Sequence, residues 1–85
     1  MDSFQAQSNV YGSGGTREMS RYSDAQCQQF CQSKSDCLAY EWWNIQFECW
    51  WYSDATKYAT PRSGTGVTLY VKEPCSGIYL FSESQ

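Results

Sequence analysis

Cys27-Gln28-Gln29-Phe30-Cys31-Gln32-Ser33-Lys34-Ser35-Asp36-Cys37, with Cys49 twelve residues further on, sets the frame of this 85-residue chain. Cys27 and Cys31 are four apart, so on a helix they share one face with Phe30. Upstream, Ser23 can cap a first turn and Gln26 completes a capping box. Asp24 suits the positive end of the helix dipole. The spacing predicts a helix over residues 24–33, with Gln26, Gln28, Gln29 and Gln32 on its polar side.

Downstream, residues 38–43 and 47–52 are aromatic strands joined by Asn44-Ile45-Gln46, a hairpin pattern. Residues 67–72 alternate, with Val67, Leu69 and Val71 on one face and Thr68, Tyr70 and Lys72 on the other. Residues 4–11 read as an edge strand, Gly12-Ser13-Gly14-Gly15 as a turn and residues 54–66 as a polar loop. The fold class is α+β: an antiparallel sheet with one helix packed on it, stapled by disulfides. The length fits a single domain, residues 1–85, with a core of about 4–75 and a final strand or tail over 76–85.

Four cysteines allow three pairings. Cysteines four apart on a helix have Cα atoms about 6 Å apart but parallel side chains, so each should reach beyond the helix. Cys31 lies at the helix end and Cys37 follows where the chain turns back, which makes Cys31–Cys37 the short link. Cys27–Cys49 is then the long one. Cys37 and Cys49 must then both face the helix, which predicts an odd hairpin loop, as Asn44 to Gln46 would give, or a bulge. A zinc site is the competing reading, but Cys37 and Cys49 offer no second close pair. Cys75 is left unpaired. It is free, joined to another chain, or deprived of a partner.

Disulfides are the usual reinforcement of small extracellular domains. The first five residues lack the apolar core of a signal peptide, so any such signal is expected outside this chain. Net charge is −3 and there is no basic run, which argues against nucleic acid as a partner. The apolar runs are too short to insert in a membrane. No cofactor motif is present, and no metal ligand set is expected. Without histidine or a nucleophile motif, the chain does not read as an enzyme. Glu41 and Glu48 could approach across the hairpin as a glycosidase pair, but solvated surface charge is the commoner state of such residues.

Ser23-x-x-Gln26-Cys27-x3-Cys31, Cys37-Leu38-Ala39-Tyr40, Cys49-Trp50-Trp51 and a last strand ending at Cys75 together resemble the PAN/apple domain family. The resemblance covers roughly residues 4–75. It implies about five antiparallel strands under one helix, and the same nested pairing of helix and strand cysteines. Apple-type members add a bond from an N-terminal cysteine to the last one. No cysteine precedes Cys27, so this is a short PAN-like form. The resemblance implies a secreted or cell-surface, non-catalytic recognition or adhesion module that binds a protein or glycan. The alternatives are a disulfide-linked matrix component, with Cys75 bonded between chains, and a protease-modulating or antihaemostatic module.

The chain holds four Trp, seven Tyr and four Phe but few aliphatic residues, so some rings belong to the surface. With Cys37 and Cys49 toward the helix, alternation sends Ala39, Glu41, Trp43, Phe47 and Trp51 the same way. It sends Leu38, Tyr40, Trp42, Trp50 and Tyr52 outward, joined by Tyr70 and Lys72. Half of this outward set is expected to be covered as a second small core. Trp42, Trp50, Tyr52, Tyr40 and Tyr70 are the candidate ligand-binding residues, because Trp and Tyr dominate binding hot spots. Their rings also stack on sugar faces.

Overall fold

The computed structural model describes residues 3–18 and 22–73. Cys75, the 76–85 segment and the first two residues lie outside them. Strand β1 (Ser3–Tyr11) is followed by the two-residue β2 (Thr16–Arg17), helix α1 (Asp24–Ser33) and the hairpin strands β3 (Ala39–Trp43) and β4 (Glu48–Tyr52). A 3-10 turn (Ala55–Lys57) then leads to the long β5 (Arg62–Glu73). All pairings are antiparallel, in the order β1-β5-β3-β4-β2.

The helix forms where its cap predicts. Ser23 Oγ accepts from the Gln26 N–H at 3.2 Å, and Gln26 Oε1 accepts from the Ser23 N–H at 2.9 Å. The sheet grips both helix ends. At the start, Asp24 accepts from the Tyr70 and Tyr40 hydroxyls at 2.7 and 3.3 Å. At the end, Lys72 Nζ donates to the Cys31 carbonyl at 2.6 Å, placing a cation where the helix dipole is negative. Between the ends, Cys27–Cys49 and Cys31–Cys37 are bonded, with Cα separations of 5.7 and 5.3 Å.

Strand β4 faces as the alternation from Cys49 predicts, with Trp51 toward the helix and Trp50 and Tyr52 away from it. Strand β3, with Tyr70 and Lys72 of β5, is turned opposite to what loop parity predicts. Trp43 pairs with Glu48, so the hairpin loop, residues 44–47, has four residues and not an odd number. Trp42 therefore lies opposite Cys49, and Tyr40 opposite Trp51. The error lies in Cys37: β3 begins only at Ala39, and Cys37 reaches Cys31 from the preceding turn. Its orientation says nothing about the alternation that follows. Tyr40, Trp42, Trp51 and Tyr70 thus pack under the helix with the four bonded cysteines, Phe4 and Tyr22. Lys72 lies on that side too, on the helix carbonyls. Ala39, Tyr52 and Leu69 form a smaller core on the far face, covered by Val10, Tyr58 and Val71.

The polar loop is shorter than its glycines suggest, because β5 starts at Arg62. Gly66 does not end the strand. It adopts φ 83° inside a bulge, where β1 spends one residue, Asn9, against four of β5. Only a residue tolerant of the left-handed region fits there. The Gly66 carbonyl accepts from the Asn44 N–H at 2.8 Å, tying the hairpin loop to the bulge.

Candidate functional site

On the face away from the helix, a cleft of ≈ 200 Å³ opens between the 12–15 turn and the hairpin. Glu41 is its floor. β3 alternation puts Trp43 beside Glu41, and β4 brings Trp50 directly opposite Glu41 with Tyr52 two residues on. Tyr11, at the end of β1, packs its ring 5.3 Å from that of Trp43. Gly12, Gly14 and Gly15 form the rim.

The rim sits close because its residues are small. A Cβ on Gly15 would lie 2.8 Å from the Tyr52 ring, so any side chain there would push the turn off the sheet. The Ser13 N–H donates to the Lys57 carbonyl at 2.8 Å, and Lys57 Nζ donates to the Gly14 carbonyl at 3.4 Å. The turn is thereby held from the 3-10 segment as well as from below.

Glu41 is only 2% exposed. Its Oε1 accepts from the Tyr52 hydroxyl and, at 3.4 Å, from the Gly12 N–H; its Oε2 accepts from Trp43 Nε1 at 2.9 Å. Burial pushes its carboxyl pKa up, against the opposing pull of these three donors. Burial, reinforced by Glu41, likewise raises the Tyr52 phenol. Beside the cleft, Glu48 accepts from Trp50 Nε1 at 3.1 Å and from Arg17 at 3.3 Å in an exposed pair. Both carboxylates are thus engaged by donors of their own, an arrangement suited to shaping a binding surface.

Of the five residues singled out from sequence, Trp50 and Tyr52 line this cleft. Tyr40, Trp42 and Tyr70 do not. Tyr40 is fully buried and stacks on Tyr70 at 4.6 Å, and Trp42 Nε1 donates to the Tyr22 carbonyl at 2.9 Å. Burial and then the Asp24 carboxylate push the Tyr70 phenol up to about 12. The five therefore do not form one outward patch. Sequence reasoning missed Trp43, Tyr11 and the glycine rim, and gave Glu41 no binding role. The signal was Glu41 itself, a lone charge at the centre of an apolar strand.

Among the described residues, no group of three His, Cys, Asp or Glu could hold a metal ion. Among the same residues, no helix is long and apolar enough to cross a membrane. No curated protein matches the chain at a significant level. The family comparison does find a match, to the PAN domain over residues 3–75, which spans the whole sheet and both disulfides. With one helix stapled to a five-stranded antiparallel sheet, the chain belongs to the PAN domain family.

Proposed function

We propose that this domain is an extracellular, non-catalytic recognition module that docks a protein or carbohydrate partner at the cleft above Glu41. PAN domains are protein- and carbohydrate-binding modules of extracellular proteins and are generally non-catalytic. The observation that carries the reading to this site is the pair of half-buried indoles, Trp43 and Trp50, flanking an open cleft. Half-buried tryptophans beside an open concavity have apolar surface left for a ligand to cover. The two buried disulfides fit an oxidising compartment.

The test is partner capture from serum or cell surfaces, alongside a glycan array, with wild type and two variants. Trp50→Ala should weaken capture by about tenfold or more, the usual loss at a hot spot, while the circular dichroism spectrum stays native. Leu38→Ala, on an exposed residue outside the cleft, should change nothing. Undiminished capture by folded Trp50→Ala would refute the cleft as the docking site.

A further inference from the structure

We propose that the cleft receives the side-chain cation of an arginine or lysine presented by a protein partner, a refinement that rests on the cleft being the docking site. The starting point is the unbalanced charge of Glu41. A carboxylate this buried is ordinarily paired with a cation. Among the described residues, the ion pairs are Arg17–Glu48 and Lys34–Asp36, and neither involves Glu41. The two cations near the cleft are committed elsewhere, Arg17 to Glu48 and Lys57 Nζ to the Gly14 carbonyl. Glu41 is held by three neutral donors alone.

Those donors leave room for a fourth. A carboxylate has about four acceptor positions. Oε1 uses two, for Gly12 and Tyr52, and Oε2 uses one, for Trp43. The carboxylate that keeps this remaining position lines an open cleft.

The walls decide which cation fits. The Trp43 and Trp50 N–H groups are both turned to carboxylates, Glu41 and Glu48. What the indoles offer a ligand is their electron-rich carbon surface, which attracts organic cations. A hard divalent ion wants six or more oxygen ligands or an octahedral shell, and no such cluster exists among the described residues. A guanidinium is weakly hydrated, stacks on indole and donates from its edge at the same time, so arginine should bind more tightly than lysine. A cleft of ≈ 200 Å³ accommodates a side-chain tip, with the partner backbone outside.

The experiment uses the oxidised full chain, labelled with 15N, and follows the indole N–H signals of Trp43 and Trp50. The probes are Nα-acetyl-arginine methylamide and its lysine counterpart, with the citrulline and norleucine analogues as neutral matches. The cationic probes should bind about tenfold more tightly than their neutral matches, the order that a desolvated cation–π contact supplies. Added salt should weaken only the cationic pair. Glu41→Gln should bring arginine close to citrulline, and Trp50→Ala should remove the shifts. The wild-type comparison stands without either variant if one fails to fold. Equal affinity for arginine and citrulline, or no shift with either cation, overturns the proposal. A monosaccharide that saturates the same signals overturns it too, yet leaves the cleft as docking site. Only undiminished partner capture by folded Trp50→Ala would remove both.

Discussion

Glu41 gives the domain a pH dependence with a defined sign. Its carboxyl is raised in the folded state, chiefly by burial. The folded protein therefore holds the Glu41 proton more tightly than the unfolded chain does. The resulting stabilisation is fully present below the ordinary carboxylate pKa and fades as pH rises through the raised value. Urea unfolding of wild type and Glu41→Gln, each at acidic and neutral pH, isolates this contribution. Relative to the variant, wild type should lose stability between the two pH values. Parallel pH profiles would mean that Glu41 titrates alike in both states. A lone Glu within Ala39-Tyr40-Glu41-Trp42-Trp43 was visible in the sequence. Its three donors were not, because Gly12, Trp43 and Tyr52 meet only once the sheet register is set.

At the scale of elements, the two disulfides should contribute unequally. Cys27–Cys49 spans a sequence separation of 22 and Cys31–Cys37 one of 6. Loop-closure entropy assigns them about 3 and about 2 kcal/mol. Removing the long bond with the pair Cys27→Ala and Cys49→Ala should therefore lower the urea midpoint more than removing the short one. The reverse order would show that native packing around Cys37, not chain entropy, dominates. The helix was legible to the residue because its cap lies within four positions of its start. The hairpin strands were legible from their aromatic runs. The facing of β4 was legible from Cys49, but that of β3 was not, since it hinged on whether Cys37 belongs to β3, and Cys37 sits two residues ahead of it. Strand β2 has no period to read at two residues. The start of β5 was hidden by Gly64 and Gly66, which read as loop and serve a bulge.

The whole molecule divides its labour between two faces of one sheet. The disulfides, the helix and the larger aromatic cluster occupy one side, and the Glu41 cleft occupies the other. Ser3 pairs with Glu73, so the first and last described strands lie side by side, with those two residues at one end of the sheet. Tension applied at residues 3 and 73 would load the β1–β5 ladder one cross-strand pair at a time, from that end inward, the mechanically weak direction. Behind the ladder, Cys27–Cys49 carries the load across the chain, and Cys31–Cys37 lies inside that bypassed loop. In single-molecule pulling, the oxidised domain should open at low force and stop short. Reduction should lengthen the fully stretched chain by about 70 Å, the 22-residue separation at ~3.4 Å per residue less the 5.7 Å the bond itself spans. Equal lengths before and after reduction would show that the long bond bears no load. Under strain, such a module yields at its edge first, and the bond that staples the helix becomes a tether that limits how far it can extend.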